Sequence, residues 1–358
     1  MHSKLPPSSA FRRVACPGSR SLETLYPSEE TEASLEGTAA HWVASIFLSN
    51  VNVADLPEYA PNGIEVNQEM IDAAIMYVNE VYKKKDYELF IEVPIDISNV
   101  HPECWGTPDC FAIVGDYLYL WDFKYGHGFV DVFENWQLIE YALGIAQSYR
   151  FKHICMTIVQ PRNYHKDGPI RHWGLTLDKL VSYMPRLQQA ENIAMSEIAY
   201  TNVGSHCKDC KARHACQALQ QASLSNIDSL FLTAPHELNP QQTGQELRYL
   251  YRAQELLEAR ITALEEAAKH MISKGESVTG FKLESTTGHE KWTRDIEEVL
   301  IMGDCLGIDL RKPQELITPT QARKLGLIDD VLINYSGHAK GALKLVPMGD
   351  AKRIFGND

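Results

Sequence analysis

The chain has 358 residues, 44% hydrophobic and 23% charged, with a formal net charge of −13. These proportions describe an ordinary globular protein with room for one large core or two modest ones. No stretch reaches the roughly 20 apolar residues of a membrane span, and the start MHSKLPPSSAFRR has no apolar signal segment, so a cytosolic location is the default expectation. The acidic balance argues against a broad basic surface for nucleic acid but leaves room for a basic groove. Lys4, Arg12, Arg13 and Arg20 make the first twenty residues locally basic.

The pattern predicts a first helix over 8–25, capped by Ser8 or Ser9, carrying Cys16 and interrupted at Pro17-Gly18. A second helix covers 29–49, with Ala39, Val43, Ile46 and Phe47 on its buried side; on the residues alone its His41 reads as a packed or capping histidine. Residues 67–85 read as a helix and 86–97 (DYELFIEVPIDI) as a strand. Glu92 alternates on that strand with Phe90 and Pro94. It is either a third carboxylate of a site, a partner for Lys124, or half of an edge-facing salt bridge.

Residues 109–114 and 117–124 form a hairpin about Gly115-Asp116, where glycine in first place suits a type II′ turn. With Val114 facing Tyr117, Asp109 falls directly opposite Asp122, and like charges so paired repel. Phe111, Ile113, Leu118 and Leu120 share their face, while Ala112, Val114, Tyr117, Tyr119 and Trp121 line the other. Both faces are apolar, so the hairpin is expected at the centre of a covered sheet. The two carboxylates need either a proton or a divalent cation, and hard oxygen donors favour magnesium or manganese. Lys124, two residues past Asp122, points to the same side.

Asp131 and Glu134 read as a capping pair for a helix to about Tyr149, on which Gln137 and Tyr141 share a face. HICMTIVQP (153–161) reads as a buried strand beside the hairpin, 171–177 as another strand, and 177–199 as a helix. This order suits a mixed α/β (α+β) sheet with a crossover helix.

Eight cysteines in such a chain do not suggest a disulfide framework. Cys207, Cys210 and Cys216 form C-x2-C-x5-C, which can bring three sulfurs to one metal, and Cys16 is the obvious fourth ligand. Four thiolates suit structural zinc or a [4Fe–4S] cluster, and His206 or His214 permits a Cys3His zinc site without Cys16. Cys104, Cys110, Cys155 and Cys305 read as incidental thiols. From Leu238 to about Ser273 the chain is expected to be one long helix or a helical hairpin. A small hairpin over 280–292, a short helix opened by Thr318-Pro319 and a partly stranded tail follow. No repeats, phosphate-binding glycine loop or helicase motif is present, so the chain has no motor of its own.

Asp109, then Asp122-Phe123-Lys124, then Gln137-x3-Tyr141 form an ordered set that resembles the RecB-like branch of the PD-(D/E)xK nucleases. Gly37-Thr38-x-x-His41 is similar to the amino-terminal histidine motif of that family. The resemblance implies a restriction-endonuclease-like mixed sheet flanked by helices. It implies metal binding by His41, Asp109, Asp122 and the Phe123 backbone carbonyl, with Lys124 placing the attacking water. Gln137 and Tyr141 would orient the site, and Glu92 joins them as a catalytic candidate. Cys16 with Cys207, Cys210 and Cys216 is similar to the AddB-type [4Fe–4S] arrangement, which implies a cluster stapling the two ends of a nuclease domain over 1–235. The helical accessory domain is expected over 236–358. The implied function is a Mg²⁺- or Mn²⁺-dependent DNA exonuclease of phage or prophage type, in the host cytoplasm, beside a single-strand annealing recombinase; an oligomer would be compatible. The alternative is a catalytically inactive scaffold binding DNA ends or a recombinase, against which the intact Asp109, Asp122, Lys124 and Gln137 speak.

Overall fold

The computed structural model describes residues 3–26, 31–49, 51–84, 86–163, 165–229 and 238–283. They belong to a compact unit spanning Met1–Leu283; a second unit, Glu284–Asp358, lies outside the described residues. With it go most of the expected 280–292 hairpin, the Thr318-Pro319 helix, Cys305 and the tail.

After a single 3-10 turn, α1 (Ala10–Ala15) and α2 (Ser19–Leu25) flank the expected break at Pro17-Gly18, with Cys16 just past the end of α1. No serine side chain caps α1; the Ser9 hydroxyl instead accepts from Arg13 at 2.6 Å. α3 (Glu32–Leu48) and α4 (Gln68–Val81) begin at Thr31 and Asn67, whose side chains accept from the Ser34 and Met70 amides and so satisfy otherwise orphaned donors.

The single strand expected over 86–97 is instead two short ones, β1 (Leu89–Ile91) and β2 (Ile95–Asp96). Glu92 adopts φ +50°, a left-handed conformation that ends an extended run, and Pro94 has no amide to offer a ladder. β2 pairs with β3 (Trp105–Gly106) in a small separate sheet. The hairpin is β4 (Cys110–Val114) and β5 (Tyr117–Phe123), in the expected register from Val114↔Tyr117 to Cys110↔Trp121. Gly115 carries φ +58° and Asp116 is not left-handed, which makes the turn type II′.

α5 (Trp136–Ser148) is capped by Asn135, not by the expected Asp131–Glu134 pair. Asp131 accepts from the Phe133 amide at 3.0 Å, and Glu134, at φ +50°, accepts from the Tyr183 hydroxyl at 2.9 Å. The loop thus makes its own Asx turn before the helix starts, which moves the cap on. β6 (His153–Val159) runs parallel to β5, and β7 (Ile170–Thr176) antiparallel to β6. The helix expected over 177–199 is divided into α6 (Leu177–Val181) and α7 (Met184–Met195). Pro185, in the first turn of α7, cannot donate back into a preceding helix. α8 (Gln217–Ser229) precedes α9 (Pro240–Ser273), a single long helix. Leu256 and Ala259 of α9 pack with Cys207 and Leu219, so the compact unit runs past the expected boundary at 235/236.

The five-stranded sheet has the order β1-β4-β5-β6-β7 and is mixed, with the β5–β6 crossover made by α5. Its two faces carry two cores. Phe111, Leu118 and Leu120 pack with Leu138, Ile139 and Leu143 of α5. Ala112, Trp121 and Phe123 pack with Ala40 and Val43 of α3 and Tyr77 of α4. Each fully buried Leu, Ile, Val or Phe side chain among them contributes roughly 1.5–3 kcal/mol. The centre of the sheet is therefore rigid, and the strand ends that leave it are held from both sides. Among the described residues, no helix is long and apolar enough to cross a membrane.

Candidate functional site

The β4–β5 ladder stops at Cys110↔Trp121, and the next two residues, Asp109 and Asp122, stand at its open end. Asp109 Oδ2 accepts from the Phe123 amide at 2.7 Å, and Oδ1 lies 3.2 Å from His41 Nδ1. The Phe123 carbonyl, the expected backbone ligand, belongs to the residue whose amide is so held. Asp122 takes the other direction. Lys124 Nζ lies 3.2 Å from Oδ1 and 3.0 Å from Oδ2 of Asp122, and Gln137 Nε2 donates to Oδ1 at 3.1 Å. Lys124 also donates to Gln137 Oε1 at 3.1 Å, which closes a three-membered ring of side chains. Tyr141, one turn along α5, donates its hydroxyl to the Thr107 carbonyl at 3.0 Å and so fixes the chain just before Asp109.

His41 reaches the site from α3, one turn after Gly37, and Glu92 reaches it from the kink between β1 and β2. One potential ligand atom from each of His41, Glu92 and Asp109 lies within 4.8 Å of the others, a spacing that suits a single cation. The geometry thus adds Glu92 to the tight group and turns Asp122 toward Lys124. A left-handed non-glycine residue costs on the order of 1–3 kcal/mol and persists where the surroundings enforce it. At Glu92 the Asp109 carbonyl does so, accepting from the Glu92 amide at 3.1 Å. The site opens into a cleft of about 620 Å³ lined by Gly37, Thr38, His41, Glu92, Lys124 and Gly126 among others.

Charge in the cleft is arranged in opposed pairs. Burial pushes Asp109 upward, but the neighbouring His41 and then Lys124 outweigh it and hold the carboxyl below its usual range. Burial also dominates at Asp122, where Lys124 only partly offsets it and the net shift is upward. Burial would lower both His41 and Lys124; the aspartates overcome it and raise them. Glu92, desolvated and beside Asp109, is raised to about 7.

The second group forms where the N-terminal helices meet residues 200–216. Gly18 donates to the Tyr200 carbonyl at 2.9 Å, and any β-carbon there would lie 2.8 Å from that oxygen. The Asn202 side chain donates to the Ala15 carbonyl at 3.0 Å and its amide to Cys16 Sγ at 3.3 Å. Cys16, Cys207, Cys210 and Cys216 line one cavity, all as free thiols. Burial raises the Cys16, Cys207 and Cys210 thiols, the last to about 12. Three such groups become thiolates only if a metal compensates them. His206 lines the same cavity but its Nε2 faces the Asn202 carbonyl at 3.0 Å, while the His214 ring packs edge-on against Tyr26.

A family model described as a protein of unknown function (DUF2800) matches residues 2–353. The chain belongs to the DUF2800 family. Among solved structures, the crystal structure of SSO0001 is similar at 12% identity over 58% of this chain and 85% of that one, with a TM-score of 0.29.

In this DUF2800 protein the fold brings His41, Glu92, Asp109, Asp122, Lys124 and Gln137 to one end of the hairpin, and the four cysteines to one cavity. Tyr141 is adjacent but engages backbone. Two parts went unread in the sequence. Arg13 is buried, 2.6 Å from Glu191 and 3.5 Å from Glu140, clamping α1 against α7 and α5. Gln160, at the end of β6, gathers loop carbonyls from Gly126 and Gly128. The glycines flanking His127 were the available signal for the latter; nothing distinguishes Arg13 from its neighbour Arg12, which pairs with Glu23, by pattern.

Proposed function

We propose that this protein is a divalent-metal-dependent deoxyribonuclease, an exonuclease acting on DNA ends in phage recombination or end processing. The observation that carries the reading is Lys124, its ammonium held between Asp122 and Gln137 beside the Asp109–His41 pair at the floor of an open cleft. Oxygen and imidazole donors at this spacing fit Mg²⁺ or Mn²⁺, held by Asp109 and His41 with Asp122, Glu92 and the Phe123 carbonyl around them. Such an ion, when bound, supplies Lewis acidity toward a phosphodiester oxygen and a water of lowered pKa.

The chain's own residues do the rest. Lys124 is raised by its aspartates and therefore stays protonated, so it acts as a fixed donor that orients water and stabilises charge on phosphate, not as a base. Gln137 holds Lys124 and Asp122 in one geometry. Tyr141 fixes the segment that delivers Asp109. The cysteine cavity, with amides donating to Cys16 and Cys207, suits a [4Fe–4S] cluster or structural zinc that ties residue 16 to 207–216. Such a protein would work in the cytoplasm of a bacterial host, with DNA and a single-strand annealing recombinase as partners.

The test is degradation of end-labelled linear and closed circular DNA by anaerobically purified protein with Mg²⁺ or Mn²⁺, beside Asp122→Ala and Lys124→Ala. Loss of linear DNA by the parent alone, with circles spared, is the expected result. Cutting of circles would make the enzyme an endonuclease. Intact substrates with all three proteins, together with binding of DNA ends, would replace the nuclease by a scaffold.

A further inference from the structure

We propose that the loop Gly126–Phe129 is a phosphate-binding site at the rim of the cleft, its backbone amides receiving a phosphate group of a nucleic-acid strand. The strand rests on the nuclease reading; the phosphate chemistry does not.

The argument begins with where the loop's carbonyls go. Gln160 Nε2 donates to the Gly126 carbonyl at 2.8 Å and to the Gly128 carbonyl at 2.6 Å, and Asn163 Nδ2 donates to the His127 carbonyl at 2.7 Å. Gln160 and Asn163 belong to one turn, closed by the Asn163 amide on the Gln160 carbonyl at 3.3 Å. Three successive carbonyls therefore face one wall. The described residues contain no cis peptide, and in a trans peptide the N–H points opposite to the C=O. The amides of His127, Gly128 and Phe129 are consequently turned away from that wall. None of the three has a protein acceptor among the described residues, and all three residues are exposed. Successive amides turned to one side form a concave anion site.

The wall is built to hold this orientation. Gln160 is completely buried, and its Oε1 accepts from Arg171 at 2.7 Å. Arg171, also buried, donates to the Val130 carbonyl at 2.9 Å and the Gly168 carbonyl at 2.8 Å, so it fixes the loop's exit as well. An interior glutamine whose amide nitrogen donates only to loop carbonyls, itself held by a buried arginine, gives the outward amides a fixed geometry, which a solvated surface loop does not need. Two cations border the loop, each already paired with carboxylates. Lys124 precedes the loop by two residues, and the Arg162 guanidinium lies 4.5 Å from the Tyr125 ring, although Glu36 and Glu69 pair with it. Gly126 lines the same cleft as Asp109 and Lys124, so a phosphate on the loop and one at the carboxylates belong to one strand. That phosphate is either a neighbouring phosphodiester or the terminal phosphate of the end being processed.

The variant Gly126→Ala/Gly128→Ala tests this without disturbing the fold. Neither glycine has positive φ, and a β-carbon at either meets no atom within 4 Å, so the methyls occupy only the space outside the loop. Binding is read by fluorescence anisotropy in Ca²⁺ with 3′-labelled single-stranded oligonucleotides bearing or lacking a 5′-phosphate, with inorganic phosphate as competitor. The expected result is an unchanged melting temperature, binding weakened by about tenfold, and a matching loss of competition by phosphate. Weakening of both oligonucleotides assigns the site to an internal phosphodiester; weakening confined to the phosphorylated one assigns it to the strand end. Parent-like binding of both oligonucleotides by the variant overturns the site, as does a parent that binds neither oligonucleotide nor phosphate. A parent that binds through this loop yet cleaves nothing in Mg²⁺ sinks the nuclease reading and leaves the phosphate site standing.

Discussion

The Phe123 amide donates to the Asp109 carboxylate at 2.7 Å, across the point where the β4–β5 ladder ends. In a continued ladder that amide would meet a main-chain carbonyl. A side chain has taken its place, which ends that ladder while β5 stays paired with β6, and turns the second carboxylate oxygen toward His41, 3.2 Å away. The end of the β4–β5 ladder and the formation of the site are one event.

Asp109→Asn separates those two roles. An amide oxygen can still accept from Phe123, but the negative charge that raises His41 is gone. The His41 titration midpoint, followed by NMR of its ring protons, should therefore fall. The proposed nuclease activity should fall by about 10²-fold or more, the scale for removal of one charged participant. An unchanged His41 midpoint would mean that the pair does not form in solution.

Glu92 gives the metal-free protein a distinctive pH response. Its carboxyl is raised from the ordinary value of 4.5 to about 7, so between these values the folded state holds a proton that the unfolded state has released. Its contribution to stability is complete below pH ~4.5 and is lost as pH rises through ~7. Melting temperature should fall across that window, and Glu92→Gln should flatten the slope. Mg²⁺ or Mn²⁺ should reverse the loss above pH 7, since a cation at 100 times its Kd stabilises by about 2.7 kcal/mol. A slope identical in Glu92→Gln would assign the proton elsewhere.

The legible parts of this fold are those set by short-range rules. Alternation and a glycine-first turn sufficed to place Asp109 against Asp122, and a four-residue spacing put Gln137 and Tyr141 on one helix face. The cap of α5 was misplaced because Asp131 and Asn135 both offer suitable oxygens, and only the loop's path selects between them. The break at Glu92 left no trace in the alternating pattern, since an exposed polar residue fits a strand as well as a kink; Pro94 was the only hint. Arg13 lay beyond reach because its partners, Glu140 and Glu191, are more than a hundred residues away.

The cysteine cavity predicts an all-or-none metal centre. Cys16→Ser removes the one thiol of the cavity that comes from the N-terminal helices, yet Cys207, Cys210 and Cys216 remain together. Anaerobically purified parent should carry iron and sulfide with the brown charge-transfer absorbance of a cluster, and Cys16→Ser should lose both. Stoichiometric zinc and a colourless parent would give the cavity to a structural zinc instead. Metal content unchanged by Cys16→Ser would remove Cys16 from the ligand set.

Arg13 should be among the most costly side chains to remove. It is buried between Glu191 and Glu140, and burial pushes Glu140 well above the usual carboxyl range despite Arg13. Arg13→Met leaves Glu191 with no cation in the interior, at an expected cost of about 3–5 kcal/mol read from urea unfolding midpoints. Lys4→Met is the comparison: its pair with Glu103 is half exposed, so its loss should cost less than about 1 kcal/mol. Similar costs at the two positions would show that the clamp on α1 is not formed.

Two helical glycines should respond to alanine with opposite signs. A β-carbon on Gly144 would lie 2.7 Å from Ile95 Cγ2, 2.8 Å from the Asp96 carbonyl oxygen and 2.8 Å from Ile97 Cγ1. Side chains can rotate away, but the Asp96 carbonyl is backbone of β2 and cannot, so α5 must shift off the small sheet. Overpacking of this kind costs about 1–3 kcal/mol, more than the ~1 kcal/mol that alanine gains over glycine in a helix. A β-carbon on Gly37 of α3 meets nothing within 4 Å, so there the helix propensity acts alone and the melting temperature should rise. A rise at both positions would mean that α5 stands further from β2 than the glycine contact requires. Gln137 and Tyr141 would then be held by the sheet alone, without the second support that the Gly144 approach gives their helix.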